Sequence, residues 1–128
     1  MNSETKGTVL VTGGTGYIAR YCIAHLLNSG WKVRATLRDT AKGPRIRSEL
    51  TSSGREGASL GFAAADLEKD EGWDNAVAGC TYVLHVASPI PEVIPKNDEE
   101  LIRPARKGTL RVLRAAAEQG VRRVVLTS

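Results

Sequence analysis

The chain has 128 residues, 41% hydrophobic and 25% charged, the balance of a single soluble globular domain with enough apolar surface for a real core. Its formal net charge of +4 permits an anionic partner without singling out nucleic acid. The start from Met1 to Gly7 is polar and no apolar run approaches the roughly 18 residues of a membrane helix, so no secretory signal or span is visible and a cytoplasmic location is expected by elimination.

Residues 8–12 are a first apolar segment. Behind it Ile18, Ala19, Cys22, Ile23, Leu26 and Leu27 recur at helical spacing, and Gly30 stands where a C-terminal cap belongs. Residues 32–37 form a second apolar segment. Between 42 and 53 only Ile46 and Leu50 serve as apolar anchors, beside Gly43 and Pro44, which predicts a short helix inside a loose connection. A third segment, 60–65, precedes a short helix over 70–78 anchored by Trp73 and Val77, and a fourth segment follows at 82–87.

Residues 98–119 are the longest helical candidate, with Leu101, Ala105, Val112, Ala116, Ile102 and Leu113 within an arc of roughly 120° that should cover the sheet. Pro104 is tolerated in a first turn, which puts the expected start near Leu101 to Arg103. The last segment, 121–127, holds Val124, Val125 and Leu126. Several segments are continuous apolar runs, as strands covered on both faces are, so the predicted fold class is α/β with a parallel sheet.

The densest chemistry lies in "VLVTGGTGYIARYC", Val9 to Cys22, where Thr12, Gly13, Gly14, Thr15 and Gly16 join the first strand to a helix opening at Tyr17 and Ile18. Glycines at such a junction allow a tight turn and let the amides of the Gly13–Gly16 bend approach a pyrophosphate at the positive end of the helix. Between a predicted strand and helix the pattern points to dinucleotide binding over a merely structural turn. Ala19 takes the third place of the pattern, where a methyl still permits close helix–strand packing.

Coenzyme choice is read at the end of the second strand, "VRATLRDTAK". An acidic side chain there would suit the ribose hydroxyls of NAD; Arg38, with Lys42 shortly after, suits a 2′-phosphate through charge-assisted bonds, so NADP(H) is preferred over NAD(H). Asp39 keeps NAD open, and the competing reading of Arg38 is a solvated surface cation. Asp66 and Leu67 close the third strand, and Val86, Ala87 and Ser88 the fourth, on the edge where open α/β sheets bind ligands. Asp66 suits the adenine amino group or the cap of the next helix; Ala87 is small enough for a ligand to pass close to the backbone.

Together "TGGTGYIA", "VRATLRD", "AADL", "HVASP" and "RRVVLTS" resemble the amino-terminal part of extended short-chain dehydrogenases/reductases, the NAD-dependent epimerase/dehydratase superfamily, and most of all its dihydroflavonol 4-reductase and cinnamoyl-CoA reductase branch. The resemblance implies a Rossmann-type doubly wound parallel sheet whose first five strands run in the order 3-2-1-4-5. It implies one NAD(P)-binding domain over residues 1–128, ending before a catalytic helix and a substrate domain. Thr12, Gly13, Gly16 and, as a departure, Ala19 match the pyrophosphate loop, Arg38 the branch's arginine, and Asp66 the adenine-side aspartate.

The family's catalytic tyrosine, with a lysine four positions later, has no match: Tyr17, Tyr21 and Tyr82 are followed at that distance by Tyr21, His25 and Val86. The chain is therefore expected to be inactive alone, as the coenzyme-binding part of a reductase for a ketone or aldehyde, with a small carbonyl or alcohol substrate in the full-length protein. The alternatives are a non-catalytic dinucleotide-binding regulatory module and a degenerate truncated product.

Other candidates have plainer readings. Cys22 and Cys80, far apart among apolar neighbours, read as buried free thiols, and with only His25 and His85 beside them no metal-ligand spacing exists. Arg103, Arg106, Lys107, Arg111 and Arg114 form a basic stripe that reads as a solvated helix face, not a nucleic-acid surface. Leu110 inside it suggests a contact with a neighbouring helix or, in a homodimer, a second subunit. His85 is expected to pack or hydrogen-bond within its strand.

Overall fold

A computed structural model describes residues 7–51, 59–87 and 96–127. Five strands, β1 (Thr8–Val11), β2 (Lys32–Leu37), β3 (Leu60–Ala64), β4 (Tyr82–His85) and β5 (Arg123–Leu126), form one sheet in the order β3-β2-β1-β4-β5. Every pairing is parallel, with Val9 opposite both Val33 and Tyr82, and Val83 opposite Val124. The strand order reverses direction between β1 and β4, which opens a crevice at their carboxyl ends. This is the Rossmann-type α/β arrangement implied by the sequence.

Helices α1 (Tyr17–Asn28), α2 (Gly43–Leu50), α3 (Trp73–Val77) and α4 (Asp98–Glu118) cover the sheet. Side chains alternate across each strand, so Val9, Val11, Val33 and Ala35 meet Ala19, Ile23 and Leu27 of α1 on one face. On the other, Leu10 and Val83 meet Trp73, Val77, Val112, Ala115 and Ala116 of α3 and α4. At the end of α1, Gly30 N–H donates to Leu27 O and Trp31 N–H to Leu26 O, at 3.2 and 3.1 Å, the paired closure of a helix ended by glycine. Cys22 and Cys80 are both free, and burial pushes the Cys80 thiol above its ordinary pKa. No helix among the described residues is long and apolar enough to cross a membrane.

Three segments end sooner than their apolar runs. The β1 ladder stops at Val11, β3 at Ala64 and β4 at His85; Thr12 and Ala65 still donate to Leu84 O and Leu37 O of the neighbouring strands, whereas after β4 the backbone turns to another partner, with Val86 and Ala87 both donating to the Thr12 hydroxyl. The apolar run of the fifth segment likewise overstates β5 at both ends.

The long helix corrects two expectations. It begins at Asp98, not near Leu101 to Arg103, and Pro104 lies inside it. Asn97 accepts from the Glu100 N–H at 3.0 Å and Glu100 accepts from the Lys96 N–H at 2.6 Å, a reciprocal cap strengthened by three acids at the positive end of the dipole. That cap outweighs the single backbone bond Pro104 removes. Asn97→Ala should lower stability by about 1 kcal/mol, read as a shift in urea midpoint at constant slope; an unchanged midpoint would contradict the cap.

The buried stripe of α4 is also rotated from the expected arc. Val112 and Ala116 are buried as expected and Ala105 is half-buried, but Gly108 and Ala115 complete the stripe, while Ile102 and Leu113 are 44% and 37% exposed. The Leu101 side chain lies outside the described residues. The rotation follows from Gly108, where a Cβ would come within 3.1 Å of the Leu67 side chain, so the helix approaches the sheet most closely along its smallest residues. Leu110 is exposed, as its place in the basic stripe implied. Arg103 and Arg106 reach Glu99 at 3.5 and 3.9 Å, exposed pairs worth little. Arg111 leaves the expected solvated face: its side chain is bound to Leu67 O at 2.7 Å and Asp70 at 2.6 Å.

Candidate functional site

A cleft of about 490 Å³ lies over the carboxyl edge of the sheet at the β1/β4 switch point. Gly13, Gly16, Tyr17 and Ile18 form its floor with Thr15 and Ala19; Arg38, with Thr36 and Leu37, forms one wall; Asp66 and Leu67, backed by Glu68 and Trp73, form the opposite wall; Val86 and Ala87 close the side. The ends of β1, β2, β3 and β4 meet here because each parallel strand delivers its following loop to the same edge.

The loop after β1 is held by a residue the sequence reading passed over. Thr36, buried, accepts the Gly13 N–H on its hydroxyl at 2.9 Å and the Gly14 N–H on its carbonyl at 2.8 Å, and Gly16 N–H returns to Gly13 O at 2.9 Å. The amides of Gly13, Gly14 and Gly16 are thus engaged within the protein, so these three are not the free donors of the expected Gly13–Gly16 bend. The available donors lie one step further on. Tyr17 and Ile18, in the first turn of α1, lack helical partners, and among the described residues no side chain caps this end and no acid lies in its first turn. An uncapped, uncompensated helix N-terminus facing a cleft is suited to an anion.

Gly13 itself serves close approach. Its φ is +73°, and a Cβ there would stand 2.7 Å from the Ala87 Cβ, so the β1 loop seats directly on the β4 loop. Thr12 lies beneath, fully buried, and does not line the cleft. Its hydroxyl accepts from the Val86 and Ala87 amides, both at 3.0 Å, and lies 3.0 Å from His85 Nδ1. Thr12 therefore latches the two loops from below. Burial pushes the His85 imidazole below its ordinary pKa.

At the wall from β2, Arg38 is exposed and forms no ion pair with a described residue. Asp39 turns into the 3₁₀ turn at Thr40–Lys42, where its carboxylate accepts the Ala41 N–H at 3.0 Å. Lys42, in the same turn, does not line the cleft, a second departure from the expected set. Asp66 uses one oxygen to accept the Glu68 N–H at 2.9 Å. The Trp73 indole fixes that loop by donating to Asp66 O and Lys69 O at 3.0 and 3.1 Å. Ser88 falls outside the described residues.

Thr15, Thr36, Leu37, Ala65, Glu68 and Trp73 are cleft residues that sequence reasoning did not assign to a site. For Thr36 the signal was a lone hydroxyl in an otherwise apolar strand end; for Glu68 and Trp73 there was none beyond proximity to Asp66.

Residues 9–128 match the model of the NAD dependent epimerase/dehydratase family. The chain is 39% identical over 124 residues to a dihydroflavonol 4-reductase of Hordeum vulgare, an alignment covering 96% of this chain and 35% of that protein. It is 39% identical over 130 residues to cinnamoyl-CoA reductase CAD2 of Medicago truncatula, covering 100% and 40%. Among solved structures, vestitone reductase from alfalfa superposes with a TM-score of 0.74 at 34% identity, covering 96% of this chain and 36% of that one. Gre2 of Candida albicans, in complex with NADPH, superposes with a TM-score of 0.79 at 31% identity, covering 94% and 36%. This chain spans 35% and 40% of the length of the two curated relatives. With the family model matched along nearly the whole sequence and the switch-point cleft in place, the chain belongs to the NAD dependent epimerase/dehydratase family.

Proposed function

We propose that this chain is the coenzyme-binding portion of an NADP(H)-linked, dihydroflavonol reductase-like oxidoreductase that reduces a ketone or aldehyde, and that it does not turn over alone. The observation that carries the reading is the uncapped first turn of α1 facing a cleft whose rim bears Arg38 without an ion-pair partner among the described residues.

The donor set fits a dinucleotide. The Tyr17 and Ile18 amides suit the pyrophosphate, Arg38 the 2′-phosphate, and the remaining carboxylate oxygen of Asp66 the adenine amino group, while Val86 and Ala87 leave room beside the backbone. Asp39, drawn into its own turn, is poorly placed to hold an unphosphorylated ribose, which favours NADP(H) over NAD(H). When bound, the nicotinamide supplies the hydride that passes to or from the substrate carbon. This chain's part is to bind, orient and shield: Thr36 and Thr12 hold the loops still, and Trp73 fixes the adenine wall. The relatives' names, dihydroflavonol 4-reductase and cinnamoyl-CoA reductase, support a carbonyl substrate for the whole protein.

The test is equilibrium titration of the folded chain with NADPH and NADH, followed by nucleotide fluorescence. NADPH should bind about ten- to a hundredfold more tightly, the equivalent of one charge-assisted bond. Equal affinities would remove the NADP(H) assignment, and no binding of either would remove the site.

A further inference from the structure

We infer that His85 is a positioning residue for the cleft, held as the neutral Nε2–H tautomer in a one-way hydrogen-bond chain that ties α4 to both loops of the switch point. The direction of the chain follows from counting donors and acceptors. The Thr12 hydroxyl already accepts two amides, from Val86 and Ala87, and a hydroxyl has two acceptor sites and one proton. Only its O–H remains for His85 Nδ1, 3.0 Å away, so Nδ1 accepts and carries no proton. In the neutral ring the proton then sits on Nε2, which lies 3.2 Å from the Thr109 hydroxyl of α4 and donates to it.

The opposite tautomer, or an imidazolium, would turn an N–H toward an oxygen with no acceptor site left. Both ring nitrogens are occupied by threonine hydroxyls, and the ring is buried.

The consequence reaches the cleft through two short steps. Thr12 holds the amides of Val86 and Ala87, which line the cleft, and Gly13 is seated against Ala87. Fixing the Thr12 rotor through His85 therefore fixes the separation of the two loops. The anchor is well placed, because α4 also holds the opposite wall through Arg111 on Leu67 O. One helix thus braces both sides. The effect on binding rests on the coenzyme reading above; the tautomer does not.

The experiment has two arms. In the histidine-labelled chain, long-range nitrogen–proton NMR at neutral pH should show one ring, assigned to His85 by a His25→Gln variant, in the Nε2–H form with a pyridine-like Nδ1. An Nδ1–H form, or an average of the two tautomers, would overturn the chain's direction. In the second arm, Thr109→Val should weaken NADPH binding by the folded chain about three- to tenfold, the effect of one hydrogen bond, and Thr109→Ser should restore it. A valine variant with a lower denaturation midpoint but unchanged affinity would make Thr109 merely structural and overturn the positioning role. Failure of the parent chain to bind either nucleotide would refute the coenzyme reading and, with it, the binding consequence, while the NMR arm still decides the tautomer.

Discussion

Gly13→Val should abolish measurable coenzyme binding and also lower the stability of the chain. The native φ of +73° is a left-handed conformation that costs an L-residue about 1–2 kcal/mol and a β-branched one more. The new Cβ would stand 2.7 Å from the Ala87 Cβ and 3.2 Å from its Cα, and relieving that overlap costs about 1–3 kcal/mol more. Together these predict a loss of about 2–5 kcal/mol in urea unfolding. The part that survives folded must separate the β1 and β4 loops, which moves the first turn of α1 away from Val86 and Ala87. NADPH affinity of the folded fraction should fall more than about a hundredfold, since a displacement near 1 Å is enough to forfeit several hydrogen bonds. Parental affinity in a folded variant would show that the loop contact does not organise the site.

Arg38→Glu should reverse coenzyme preference with little effect on the fold. The side chain is exposed and has no ion-pair partner among the described residues, so its replacement disturbs no packing. Losing a charge-assisted contact to the 2′-phosphate removes about 1.5–3 kcal/mol, and a carboxylate in its place repels the phosphate besides, so NADPH should bind about a hundredfold more weakly. NADH, lacking that phosphate, should bind as before or better, because the new carboxylate can accept from the ribose hydroxyls. Parallel titrations read the ratio directly. Equal weakening of both nucleotides would mean that Arg38 touches a part common to both, and no change would make it the solvated cation of the simpler reading.

Much of the architecture was legible because it is local. Continuous apolar runs marked the five strands, and the place of Gly13 to Gly16 between a strand and a helix marked the switch-point loop. The parts that escaped depend on pairs distant in the sequence. Thr36 receives amides from Gly13 and Gly14, and Thr12 receives those of Val86 and Ala87; no spacing rule links such partners. The same cause explains why Thr12 fits the motif in the sequence yet lies beneath the cleft.

Helix α4 shows a different failure. Pro104 is a strong local signal, but the reciprocal cap of Asn97 and Glu100 sets the start instead. Its buried stripe is set by the close approach of Gly108 to Leu67, which leaves the larger Ile102 and Leu113 outward. Hydrophobicity alone ranks those side chains first for burial, whereas steric fit against the β3–α3 loop selects the small ones. Arg111 was lost for a related reason, since its partners Leu67 and Asp70 lie across the sheet edge from the helix.

The most direct measurement of the central claim is an amide NMR titration of the labelled chain with NADPH. Binding at the α1 N-terminus predicts the largest shifts at Thr15, Tyr17 and Ile18, with further shifts at Arg38, Asp66, Leu67, Val86 and Ala87, and little change on the outer face of α4. Saturating nucleotide that leaves Tyr17 and Ile18 unmoved, or that shifts a different surface, would contradict it.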